Sequence, residues 1–287
     1  MAELTKSMEE IAVHDESFDV AKGENYTLMT LLSSGGVACA VHDRIENRFI
    51  ALAKRNVKIA GIESAIAAFE KLRAEIPWLN SAYRSEILTF PDKNFTLIPT
   101  GLFESEKRET YLNFSGVPGT QGEIQHHSLS TMNAILVYRL PVALRTLQSA
   151  GVKVLHQAGV SIDAILLMNK NKPGKRVYAF IHKHSFEILV ISGHSLILYN
   201  IFEYQDTDEL VYHIMNIYES LELNPESIPV FLSGEMDKNS AAYALLYKYI
   251  RHVDMLGIPE HYSFSYKLSE LNPGRFFGLF SQLQCVS

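Results

Sequence analysis

The sequence predicts an α/β protein made of two tandem lobes. Three observations lead there. A run of three short strands, a helix and then alternating strands and helices can be read twice along the chain. The two runs are separated by residues 169–175, the most linker-like stretch of the interior, which joins a charge run to a Pro-Gly pair. A chain of 287 residues, 47% hydrophobic and 20% charged, also has the length and composition for two domains, each with its own core. The expected divisions are a flexible N-terminal segment over 1–24, a first lobe over 25–170 and a second lobe over 171–287.

Ordered structure is expected to begin at Tyr26. Residues 26–32, 37–42 and 48–53 are apolar and β-prone, and the turns Ser33-Ser34-Gly35-Gly36 and 43–47 join them into a meander. Ile62, Ala65, Ile66, Phe69, Leu72 and Ile76 then recur at helical spacing, with Pro77 as the stop. Candidate strands follow at 83–90 and 95–99, then a short helix at 105–112 and a Gly-rich loop at 116–122. The middle section predicts a strand at 129–138, a helix at 141–150, a strand at 152–157 and a short helix at 161–168.

After the linker the opening pattern returns. Strands are expected at 176–182, 186–192 and 195–202, with turns at Lys183-His184-Ser185 and Gly193-His194. A helix carries the stripe Leu210, Ile214, Ile217, Tyr218 and Leu221, and Asp206, Asp208 and Glu209 suit the positive end of its dipole. A buried strand at 228–232, a turn at Ser233-Gly234-Glu235, a helix at 240–250, a strand at 252–256 and a terminal helix at 273–283 complete the chain.

This order, repeated, is that of RNase H-like folds, which actin-like proteins carry twice. The sequence also resembles a bacterial domain-of-unknown-function family within the actin-like ATPase superfamily. The resemblance rests on Phe95-Thr96-Leu97-Ile98-Pro99 with Gly101-Leu102-Phe103 and Tyr111-Leu112. It continues in Asp208-Glu209-Leu210-Val211-Tyr212-His213-Ile214 and in Pro229-Val230-Phe231-Leu232-Ser233-Gly234-Glu235, running into residues 243–251. Residues 147–159 are more distantly similar to the segment that ends the first lobe of type IV pilus assembly proteins of that superfamily. The resemblance implies a fold with an inter-lobe cleft and brings no assigned substrate or catalytic residue.

An active ATPase of this superfamily carries a carboxylate in the first hairpin of each lobe to hold Mg²⁺, while turn N–H groups cradle phosphates. The turn Ser33-Ser34-Gly35-Gly36 offers glycines and hydroxyls without an acid, and Lys183-His184-Ser185 has neither an acid nor a glycine. Ser33, Ser34, Gly35, Gly36, Lys183, His184, Ser233, Gly234 and Glu235 are therefore the candidate contacts if a nucleotide binds, and no catalytic residue is assigned. Acids would then come from elsewhere, such as Asp163, Glu235 or Asp237. Gly116, Gly119 and Gly122 fit neither GxGxxG nor a P-loop. His182 and His184 sit two apart, but no third ligand follows at motif spacing, so no metal site is expected.

Several function classes fall away. The net charge of −6 gives no pull toward nucleic acid or anionic membrane. Residues 26–32 lack the acids of an RNase H-type nuclease. No apolar run reaches the ~18 residues of a spanning helix, and the polar opening does not read as a signal peptide. Cys39 and Cys285 form no CxxC pair, in keeping with a cytoplasmic protein. Two expectations stand. One is a non-catalytic actin-like binding or scaffold protein, without a cofactor and with another protein as partner. The other is an ATP-binding protein or phosphotransferase that uses the inter-lobe cleft.

Overall fold

The structure, a computed structural model, describes residues 10–57, 61–114 and 121–285. Its first strand, β1 (Glu10–His14), lies within the segment expected to be flexible. Ile11 and Val13 alternate with the exposed Glu10, Ala12 and His14 and pack on the core, so five residues suffice for an edge strand. β1 pairs antiparallel with the third strand of the meander formed by β2 (Tyr26–Ser33), β3 (Gly36–Asp43) and β4 (Arg48–Asn56). The helix α1 (Ile62–Glu75) buries Ala65, Ala68, Phe69 and Leu72, and it ends at Ile76 before Pro77. Then β5 (Ser85–Phe90) runs parallel to β2.

Before the fifth strand the chain makes an excursion. β6 (Phe95–Pro99), α2 (Arg108–Phe114), β7 (Gly122–Ser128) and β8 (Ala134–Pro141) form a separate three-stranded sheet of order β6-β8-β7. The expected Gly-rich loop lies outside the described residues except for Gln121 and Gly122. β7, Gly-Glu-Ile-Gln-His-His-Ser, was hidden by its polarity, because its pairing to β8 supplies what its side chains do not announce. The strand expected at 129–138 begins at Ala134 instead. The carboxylate of Asp163 holds residues 130 and 131 in a turn, accepting from the N–H and hydroxyl of both Ser130 and Thr131 at 2.6–3.1 Å.

The helix α3 (Val142–Ser149) leads to β9 (Lys153–His156), parallel to β5. Next, α4 (Gln157–Met168) starts four residues earlier than periodicity suggests. Gly159, which weakens the helical signal, leaves room there for His127, since a Cβ would come within 2.2 Å of His127 Nε2. α4 is apolar nearly all round and is buried accordingly.

The second sheet repeats the first. β10 (Lys175–Ile181), β11 (Ser185–Ser192) and β12 (Ser195–Glu203) form the meander. The helix α5 (Thr207–Ser220) follows, N-capped by Asp206 on the N–H of Glu209 at 2.9 Å. β13 (Val230–Gly234) lies parallel to β10; α6 (Ala241–Tyr249) precedes β14 (Val253–Met255), parallel to β13. The orders are β1-β4-β3-β2-β5-β9 and β12-β11-β10-β13-β14, so each lobe reads third, second, first, fourth and fifth strand, with β1 added to the first.

The chain does not finish in the second lobe. Phe264 bridges Phe49 of β4. After α7 (Tyr266–Ser269), α8 (Phe277–Phe280) packs Leu279 and Phe280 with Met29, Ala40 and Phe49 of the first sheet. The single helix expected at 273–283 is broken into a 3₁₀ turn at Pro273–Phe276, α8 and a 3₁₀ turn at Ser281–Cys285. The first of these turns runs close against the second lobe, where a Cβ on Gly274 would meet Leu256 O at 2.4 Å. One apolar cluster runs through both lobes, joining Leu32 and Val37 of the first meander to Tyr178, Leu189 and Tyr199 of the second. α4 contributes Ala158, Ile162 and Ile165 to it.

Candidate functional site

The two meanders turn toward each other at the inter-lobe cleft, and their first hairpins touch. Ser34 Oγ lies 2.7 Å from Ser185 Oγ. A Cβ on Gly35 would stand 3.1 Å from both N and Cβ of Lys183 and 2.9 Å from Glu235 Oε1. Glycine therefore allows the two turns to interlock. Lys54 Nζ, on β4, reaches Glu235 Oε1 at 3.0 Å from the other lobe. Gly36 has φ +147° and a Cβ there would collide with Arg55 O, so the hairpin needs glycine at this position. Gly234, at φ +96°, meets Ile181 O in the same way and lets β13 end against β10.

These contacts leave a cavity of about 50 Å³, lined among others by Ser33, Gly36, Lys54, Glu187, Glu235 and Arg275. A carboxylate is buried in its wall. Glu187, on β11, accepts from Tyr199 at 2.6 Å and Ser161 of α4 at 2.9 Å, and His182 Nε2 lies 3.3 Å away. Burial, with the Glu187 charge beside it, pushes the Tyr199 hydroxyl well above the usual tyrosine range. Ser233 donates to Gly274 O at 2.7 Å and Arg275 Nε to Gly234 O at 3.4 Å, so the returning C-terminal segment closes the cavity from behind.

On the other side of the hairpin contact lies a larger groove of about 890 Å³, lined by Ser34, Ile62, Asp92, His184, Ile201 and Glu203 among others. Lys93 and Glu203 bridge it at 2.9 Å. At the turn after β5, His156 is fully enclosed: Nδ1 accepts from Ala158 N at 3.1 Å, which leaves the proton on Nε2 to donate to Asp92 O at 2.9 Å. Burial pushes this imidazole down to about 4.

The nine residues named from the sequence are thus gathered at one place. Ser33, Gly36, Ser233, Gly234 and Glu235 line the small cavity; Ser33, Ser34 and His184 line the groove; Gly35 and Lys183 form the contact between the hairpins. Sequence reasoning missed Lys54, Arg275 and Glu187. A lone carboxylate in the apolar run Ser-Phe-Glu-Ile-Leu-Val-Ile-Ser is a signal that could have found Glu187. Of the acids offered as substitutes, Asp163 is engaged by Ser130 and Thr131, and Asp237 caps the turn before α6 through Asn239 N at 2.7 Å. His182 and His184 lie beyond the end of β10 rather than on its face. Among the described residues no group of three His, Cys, Asp or Glu side chains converges as metal ligands, and no helix is long and apolar enough to cross a membrane.

Comparison with known proteins agrees with this architecture. The model of the family described as "Protein of unknown function (DUF3822)" matches residues 15–253. No curated protein matches the chain. Among solved structures, a Bacteroides thetaiotaomicron VPI-5482 protein with an actin-like ATPase fold and unknown function superposes with a TM-score of 0.77 at 21% identity, covering 93% of this chain and 99% of that one. A structure of the PilM–PilN type IV pilus biogenesis complex gives a TM-score of 0.64 at 12% identity over 91% of this chain and 98% of that one. The chain has the actin-like ATPase fold, as its two equivalent strand orders require.

Proposed function

We propose that this chain, which belongs to the DUF3822 family, is a non-catalytic actin-like protein that binds another protein and serves as a scaffold in the cytoplasm. One observation carries this: the space between the two first hairpins is occupied by the protein's own side chains. Ser34 meets Ser185 at 2.7 Å, Lys54 meets Glu235 at 3.0 Å, and about 50 Å³ remains. Ligand pockets span roughly 300–1,000 Å³, so a nucleoside triphosphate seated in this small cavity between the first hairpins needs the lobes to part. The solved PilM–PilN complex, whose fold this chain shares, supports a protein as partner. Two free cysteines, one of them buried, suit a reducing compartment.

The second reading is an ATP-binding protein or phosphotransferase. Lys54, Arg275, Gly36 and Gly234 converge on the closed cavity and favour it, because they would face phosphate if the lobes separated. Calorimetric titration with ATP and ADP, with and without Mg²⁺, separates the two. The scaffold reading expects no heat of binding at millimolar nucleotide. Micromolar, Mg²⁺-dependent binding would sink it.

A further inference from the structure

The second sheet ends at β12, and no described strand pairs with its outer edge. Register fixes which backbone groups point outward. Tyr204 N donates to His184 O at 3.1 Å, on the β11 side. By alternation the N–H and C=O groups of Asn200 and Phe202 also face β11, and those of Tyr199, Ile201 and Glu203 face away. The N–H of Ile201 finds its acceptor in the side chain of Asn200, Oδ1 at 2.8 Å, instead of in a neighbouring strand.

The two halves of this edge differ. Toward Ser195 the register slips, Val190 facing Leu198 while Ile191 faces Leu196, so Ile197 is bulged out. A bulge of this kind blunts an edge against further pairing. Residues 199–203 are regular and hold no lysine, proline or inward charge that would discourage a strand. This regular half opens into the larger groove, where Ile201, Glu203 and Tyr204 form one wall. The groove's charged lining is Asp92, Glu203 and Glu209 against Lys93. Lys93 is already paired with Glu203, through side chains 42% and 75% exposed, a contact that is weak and displaceable.

We infer that residues 199–203 of β12 take up an extended segment of a partner protein as an added strand, and that the acidic groove selects a segment bearing Lys or Arg. Backbone pairing supplies affinity and the groove supplies selectivity. A thin segment fits better than a second copy of this chain. The inserted sheet comes close to this strand, with Phe95 5.4 Å from Tyr199 and Lys93 reaching Glu203, and a single extended segment needs less room beside it than the sheet of a second copy. This inference rests on the protein-binding reading above and names the partner's chemistry.

The test uses the full chain and a synthetic peptide of alternating Val and Thr with Lys at each end, N-acetylated and C-amidated. Two further versions carry N-methyl groups on alternate amides, one set on each edge of the peptide. The expected result is salt-sensitive binding in the micromolar range, lost by about tenfold or more (about 1.4 kcal/mol) with one methylated set and kept with the other. Amide exchange at residues 199–203 should slow on binding. Absence of binding at millimolar peptide, equal loss with both sets, or a dimer in sedimentation that the peptide does not dissociate would each overturn it. Nucleotide binding in the calorimetric experiment would strike the scaffold reading and leave the peptide result standing. Failure of the peptide alone would remove β12 and leave the scaffold reading.

Discussion

Lys54 of the first lobe and Glu235 of the second meet at 3.0 Å across the cleft, with side chains only 12% and 20% exposed. Breaking a pair this withdrawn from solvent costs more than breaking a surface ion pair, because removing one partner strands the other charge. Glu235→Ala is expected to lower the unfolding free energy by about 1–3 kcal/mol, and Lys54→Met similarly. The double variant should lose less than the sum. Urea denaturation of the four proteins in a double-mutant cycle checks this. Strictly additive losses would mean that the pair does not couple the lobes.

Gly35 makes the steric version of the same point. Its missing side chain leaves room for a neighbour that can move and for one that cannot: Glu235 Oε1 ends a flexible chain, while Lys183 N is backbone. Gly35→Val should therefore cost about 1–3 kcal/mol by overpacking. Combining it with Glu235→Ala should not restore the loss, since the clash with Lys183 persists. Thermal unfolding reports the cost, and a larger radius of gyration in X-ray scattering would show the hairpins parting.

How far these contacts could be anticipated follows from the range of the physics involved. The meanders and α1 were legible because an apolar strand between turn residues, or a stripe such as Ala65, Phe69 and Leu72, is a local pattern. The return of Phe264 and Phe280 to Phe49 was not, because it couples residues some 200 positions apart through shape alone. The glycine turns of the site were visible as turns. Their closure on each other was not, since Lys54 reads as an ordinary strand lysine until Glu235 is placed opposite it. The inserted sheet shows both cases: β6 was legible from Phe-Thr-Leu-Ile-Pro, and β7 needed its partner.

His156 should make stability fall in mild acid. Burial holds its folded-state value down at about 4, against roughly 6.5 in an unfolded chain. Between those two values the unfolded chain binds the proton and the folded one does not. Stability is therefore intact above about pH 6.5 and declines toward pH 4, by up to about 1.4 kcal/mol per pH unit for this one group. His42, also pushed down to about 4 by burial, adds in the same direction. Urea unfolding between pH 7.5 and 4.5, a window of roughly this width, should show the slope. His156→Gln should flatten it, whatever its stability at neutral pH. An unchanged slope would mean that the imidazole is already open to protonation in the folded state.

Tyr199 and Glu187 tie the wall of the small cavity to the edge strand that borders the groove. Glu187 is 2% exposed and lies on β11; Tyr199 donates to it from β12 at 2.6 Å, and Ser161 from α4 at 2.9 Å. A buried carboxylate depends on such donors, because they replace the water it has lost. Tyr199→Phe keeps the ring in place and removes one donor, and should cost about 1–3 kcal/mol. Ser161→Ala should cost a comparable amount, and the two losses should not be additive because both act through the same oxygen, Oε2. Alkaline difference absorbance supplies a second readout. Burial and the neighbouring Glu187 charge hold the Tyr199 hydroxyl well above the usual tyrosine range, so the wild type and Tyr199→Phe should give the same early phase of tyrosine ionisation. If Tyr199→Phe instead removed amplitude from that phase, the hydroxyl would be in contact with solvent and the carboxylate would not be sealed by it.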